Sequence, residues 1–212
     1  MKLNAFLADA RRQLGGILIC SLSAALPVLA QTTQTLAVEV ATTLRTSGSV
    51  GESRAILRQL KETRSDAALG AVADVLMDYI VSKASPTVSL SARQNALDVL
   101  AASGRRDGGG KPFPGAYPRL VRIVESADDS GLRASALFHI AHQPDTAQAL
   151  RMLRGVAVSN NEVAMVAVRD LAGYLGDRGL AVLRELYRSG EVKDLWAQRE
   201  LAHNARKYGW TR

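Results

Sequence analysis

The side chains with the most obvious chemical potential are the histidines. His139 and His142 stand three apart in LRASALFHIAH, and His203 lies far along the chain. Two histidines at i, i+3 share a helical face and can hold one metal ion. A site of that kind also needs carboxylates, and the only one close by in sequence is Asp145. His139 sits directly before the apolar Ile140-Ala141 pair, so the pair reads as helix-surface or satisfied interhelix histidines, with no metal. A nucleophile is equally hard to find. No G-x-S-x-G elbow occurs, and the single cysteine, Cys20, lies in an apolar N-terminal run. Gly108-Gly109-Gly110 before Lys111 lacks phosphate-loop spacing and a preceding strand, and reads as an insertion between helices. The residues therefore nominate no catalytic group and no cofactor.

Arginine is the remaining chemical signal. The 212-residue chain has a net charge of +7. Arg54, Arg58 and Lys61 align on one helical face, and Arg119 with Arg122, Arg151 with Arg154, and Arg184 with Arg188 decorate successive segments. Glu185, Glu191 and Asp170 interrupt this basic face. A field of one sign attracts acidic proteins, anionic surfaces or nucleic acid. The partner residues nominated are Arg122, Arg151, Arg154, Arg184 and Arg188, against a protein or peptide partner of acidic character.

The elements that carry these residues are helices. Alanine and leucine number 33 and 28, while aromatics are only 5 % of the chain. That profile is poor in strand formers. One cysteine excludes an internal disulfide framework, and 47 % hydrophobic residues exclude wholesale disorder.

One pattern recurs, Ala-x3-aliphatic-Ala: Ala96/Leu100/Ala101, Ala136/Ile140/Ala141, Ala167/Leu171/Ala172 and Ala197/Leu201/Ala202. Between these segments lie i, i+3 pairs: Leu120 with Ile123, Leu150 with Leu153, and Leu183 with Leu186. Turn residues punctuate them at Ser103-Gly104, Gln143-Pro144-Asp145, Ser159-Asn160-Asn161, Gly176-Asp177 and Ser189-Gly190. Asp128, Asp129 and Ser130 are cap candidates for a helix over 131–142. Each unit reads as helix, tight turn, helix, with small residues at the seams so that neighbouring units approach closely. The fold class expected is all-α, an α-solenoid of paired antiparallel helices.

Paired helices, the 30–40-residue period, and Arg93 and Arg133 three residues before the recurring Ala resemble HEAT-like repeats over residues 88–208. The third and fourth units depart from the pattern, with Ala164 and Asp194 in place of the arginine, and the last reads alternatively as a capping helix. The resemblance implies a concave surface lined by the second helices, and hence a binding or scaffold role. It also admits an enzyme or enzyme-associated subunit using that groove. The HEAT-like deoxyhypusine hydroxylases bind iron through His-Glu pairs, which Ile140, Gln143 and Asn204 replace here after the three histidines. HEAT-like DNA glycosylases place aromatics beside a basic groove, whereas Trp196 and Trp210 are terminal. Nucleic acid is accordingly disfavoured as a partner.

The first 30 residues read as an address. Lys2, Arg11 and Arg12 precede an uncharged run from Leu14 to Ala30, and Val28-Leu29-Ala30 forms a small-x-small site. These are the parts of a secretory signal cleaved after Ala30, the alternative being an uncleaved membrane anchor. Cleavage removes Lys2, Arg11, Arg12 and Asp9, lowering the charge from +7 to +5 and leaving no cysteine. The expected location is periplasmic or secreted, with no membrane span after cleavage. The domain reading is then a signal at 1–30, a leader or short helix at 31–50, a divergent helical hairpin at 51–87, and HEAT-like repeats at 88–212 with an insertion at 104–115. N-terminal sequencing of the exported protein is expected to begin at Gln31; an intact Met1 on a soluble cytoplasmic chain contradicts the export reading.

Overall fold

The computed structural model describes residues 66–82, 89–102 and 115–211, with Thr35, Val38, Glu39, Val40 and Thr42 ahead of them. The signal at 1–30, the helix expected over 52–62 with Arg54, Arg58 and Lys61, and most of the insertion at 104–115 lie outside the described residues. Thr35, Val38, Glu39, Val40 and Thr42 are helical, and Val40 is buried in the core.

Among the described residues the chain is all helical: α1 (Asp66–Val81), α2 (Leu90–Ala102), α3 (Ala116–Ser126), α4 (Ser130–Ala141), α5 (Thr146–Val158), α6 (Ala164–Tyr174), α7 (Gly176–Ser189) and α8 (Leu195–Lys207). Neighbouring helices pack in two rows. The even helices touch in succession, α2 on α4, α4 on α6 and α6 on α8, while α1 meets α3 and α5 meets α7 in the odd row. The strongest packing across the rows joins α3 to α4, α5 to α6 and α1 to α2. The tightest hairpins are thus offset by one helix from the Ala-first unit read from the sequence. The helix at 66–81, read from the sequence as part of a divergent hairpin over 51–87, packs on both α2 and α3.

Along the even-row seam, the first Ala and the aliphatic residue of the recurring Ala-x3-aliphatic-Ala pattern are buried in all four even helices, and the second Ala in α2 and α4 only, Ala172 and Ala202 being half-buried. Ala96, Leu100, Ala101, Ala136, Ile140, Ala141, Ala167 and Leu171 have no exposed surface, and Ala197 and Leu201 repeat the arrangement in α8. Short side chains bring the helix axes together, and the aliphatic residue fills the remaining groove. In the odd row Leu120, Ile123, Leu153, Leu183 and Leu186 are fully buried, whereas Leu150 is half-buried.

The turns use the polar residues that flank the helices, in a division of labour. Asp129 caps α4, its carboxylate accepting from the Leu132 amide at 3.0 Å. Asp145 caps α5 and Asp194 caps α8 in the same way. Asp128 is not a cap: its carboxylate accepts from Arg93 at 2.6 Å. Arg93 is 1 % exposed, and its Nε also donates to the Ile80 carbonyl at 2.8 Å. One guanidinium therefore ties the end of α1 and the turn before α4 to α2. Arg133 on α4 repeats the carboxylate half of the device by pairing with Glu162 in the turn before α6, while its buried Nε has no hydrogen-bond partner among the described residues. Both acids stand two residues before the next even helix, so the arginine three residues before the Ala is a clamp between levels. In α6 Ala164 holds that place, and the clamp ends there.

Between α6 and α7 only Leu175 separates two helices, and Gly176 takes φ 55° to turn the chain. Gly179 then lies so close to α6 that a Cβ there falls 2.0 Å from the Leu171 carbonyl oxygen. Gly179→Ala is expected to lower the unfolding free energy by about 2–3 kcal/mol through forced separation of the helices. Gly155→Ala, in open space on α5, is expected to raise it by about 0.5–1 kcal/mol. Denaturant titration of both variants checks the pair.

Candidate binding surface

The five nominated arginines all fall on the odd row. Arg122 is on α3, Arg151 and Arg154 on α5, and Arg184 and Arg188 on α7. Each helix buries one stripe, Leu120/Ile123/Val124, Ala149/Leu153/Val156/Ala157 or Gly179/Leu183/Leu186. Helical geometry places the arginines on the opposite half. The structure thus brings them to the outward side of three successive odd helices.

They are not equivalent. Arg154 is half-buried and donates to Glu185 at 3.0 Å and Glu191 at 3.3 Å. Two of the acids that interrupt the basic face, Glu185 and Glu191, share this one arginine, which links α5 to α7. Arg119 is also committed, pairing with Asp74 on α1. Arg122, Arg151, Arg184 and Arg188 are exposed and form no ion pair with any described residue. Arg184 and Arg188 line an open depression of about 520 Å³ with Ala181, Glu185 and Ser189. Beside Arg151, the Tyr117 hydroxyl donates to the Gln148 carbonyl at 3.2 Å, joining α3 to α5. Burial pushes that phenol up from its ordinary value, against the opposing charge of Arg151.

Asp170, counted in sequence among the acids on this face, is elsewhere. It is 1 % exposed on α6, and its Oδ2 has no hydrogen-bond partner among the described residues. The reason is its register: it directly precedes Leu171, in the even-row seam. Burial raises its pKa from 3.8 to about 7, with Arg169 opposing the rise.

The histidines separate in the same way. His139 directly precedes Ile140 in the seam position equivalent to Asp170, is 1 % exposed, and its Nε2 lies 3.0 Å from Asp98 Oδ1 on α2. It clamps α4 to α2. His142 is half-buried, its Nδ1 2.7 Å from the Phe138 carbonyl and its ring 4.4 Å from that of Tyr174. His203 is exposed on α8. No group of three metal-ligating side chains occurs among the described residues. The Asp98–His139 pair spans 41 residues, so no carboxylate close in sequence to His139 marks it. Counted from the recurring Ala, Asp98 is two residues on and His139 three, so adjacent and not identical register positions meet between α2 and α4.

No protein-family model, curated protein or solved structure matches the chain.

The buried carboxyl carries a pH dependence. Because its folded pKa lies above the unfolded value, Asp170 favours the native state fully below about pH 4, and this contribution is lost as pH rises toward 7. Asp170→Asn is expected to remove that decline and to be more stable than the parent at pH 8 by a few kcal/mol. Urea titrations of both proteins from pH 4 to 8 test it; parallel curves contradict it.

Proposed function

We propose that the protein is an exported α-solenoid of HEAT-like repeats that acts as a binding or scaffold module in the bacterial envelope. Its partner is a protein or peptide with an acidic surface. The observation that carries the reading is the set of four exposed arginines, Arg122, Arg151, Arg184 and Arg188, on three successive helices of one row and without an ion partner among the described residues. Cations left unpaired along a repeating framework create a positive field, which speeds association with an acidic partner and orients it. Arg154 has a different part in this reading. Tied to Glu185 and Glu191, it holds α5 and α7 at the spacing that presents the other four.

Export rests on the basic start, apolar run and small-x-small site of residues 1–30. No helix among the described residues is long and apolar enough to cross a membrane. The repeat reading is supported by the alternation of rows, the Ala seam and the repeated arginine clamp at Arg93 and Arg133.

Pull-down from an envelope fraction tests this assignment. Reversing Arg122, Arg151, Arg184 and Arg188 to Glu is expected to weaken capture of an acidic partner by on the order of tenfold or more, with the helical circular dichroism unchanged. An unchanged set of captured partners contradicts the proposal.

A further inference from the structure

The last described helix of the even row is α8. α8 buries Ala197, Leu201, Asn204 and Ala205 against its neighbours. On the opposite side, Trp196, Arg199, His203 and Arg206 recur at helical spacing, flanked by Leu195 and Lys207, and all six are exposed. Leu195 and Trp196 are 57 % and 60 % exposed, an unusual placement for two large apolar side chains side by side.

The exposed ionic side chains of this face are mostly cationic: Arg199, Arg206 and Lys207 stand against the half-buried Glu200, the one carboxylate of the helix itself. The segment from Gly190 to Thr211 contains three carboxylates, Glu191, Asp194 and Glu200. Glu191 pairs with Arg154, Asp194 caps α8 by accepting from Ala197, and Glu200 accepts from Asn204. Only Glu191 faces a cation; Asp194 and Glu200 accept from uncharged N–H groups, which offset no charge, so the segment is basic only because Lys193, Arg199, Arg206 and Lys207 outnumber its carboxylates. Lys193, Arg199, Arg206 and Lys207 form no ion pair with a described residue. Two of these cations lie over aromatic rings, Arg199 at 4.7 Å from the Trp196 centroid and Lys207 at 5.1 Å from that of Tyr208.

We propose that the outward face of α8 docks on the surface of an anionic phospholipid membrane, with Trp196 and Leu195 entering the headgroup layer and Arg199, Arg206 and Lys207 meeting lipid phosphates. Indole and phenol rings partition to the boundary where one edge is apolar and the other wet. Basic side chains beside them gain from the negative surface potential. A single helix face is convex and offers no groove for a peptide, but it suits a broad surface. The apolar stripe of α8 stays in the protein core, so the contact is shallow, peripheral and salt-sensitive. This surface is separate from the odd-row arginines, and either can fail without the other.

The test follows Trp196 itself, so that it reads contact of α8 with the bilayer and not merely attachment of the chain through the apolar run of residues 14–30. Full-length protein carrying Trp210→Phe has one indole, since the chain has two tryptophans. It is mixed with vesicles of brominated phosphatidylcholine, alone or with an equal share of phosphatidylglycerol. Quenching of Trp196 is expected on the mixed vesicles and not on phosphatidylcholine alone, and should weaken with added salt. Arg199→Gln, Arg206→Gln and Lys207→Gln should each reduce the apparent affinity by about fivefold, and the triple variant by about 100-fold. Circular dichroism of each variant confirms folding, and the single variants decide the matter if the triple one unfolds. Trp196 emission that ignores the mixed vesicles overturns the proposal. So does equal quenching on both lipids, or affinity unaffected by the glutamine variants; these outcomes leave an acidic protein or a second copy of the chain as the occupant.

Discussion

The structure depends on how closely the even-row helices approach one another. Ala96, Ala101, Ala136, Ala141, Ala167 and Ala197 remove side-chain bulk where α2, α4, α6 and α8 meet. The residues of the seam have almost no exposed surface, so a polar group placed there must bring its own partner. His139 does so through Asp98, one helix back. Asp170 occupies the corresponding place one level on, beside α4 residues that include no second acid or base at the matching register. Its carboxyl is accordingly driven toward the neutral form. Gly179 extends the same constraint to the junction of α6 and α7, where backbone meets backbone.

The odd row is held differently. Asp74 with Arg119, Tyr117 with Gln148, and Arg154 with Glu185 and Glu191 link its helices by polar contacts. Such partly exposed ties contribute little stability each, but they settle which charges are spent. Arg119 and Arg154 are committed to architecture, as are Arg93 and Arg133 between levels. Arg122, Arg151, Arg184 and Arg188 remain on the odd row, and Arg199, Arg206 and Lys207 remain on α8. A charge count treats these residues as interchangeable, whereas the fold divides them into clamps and free surface.

Much of the architecture was legible because it rests on short-range periodicity. The Ala columns, the i, i+3 pairs and the turn residues are local signals, and they mark out every helix from α3 onward to within a few residues. What escaped is non-local. Asp128 has the sequence context of a cap, and only the distant Arg93 makes it a salt-bridge acceptor. Arg154 looks like its neighbours until Glu185 and Glu191 are brought to it. Asp170 lies among surface-like residues in sequence, and its burial follows from its register next to Leu171. The offset of the tightest hairpins is also non-local, because turn positions do not reveal which of two flanking helices packs more closely.

The small-residue seam is the claim on which the rest stands, and a bulky residue placed in it is the most direct trial. Equilibrium unfolding of Ala136→Leu, compared with Ala181→Leu on the exposed side of α7, measures the cost. The account predicts a loss of about 1–3 kcal/mol for Ala136→Leu and almost none for Ala181→Leu. Equal stabilities for the two variants would contradict it.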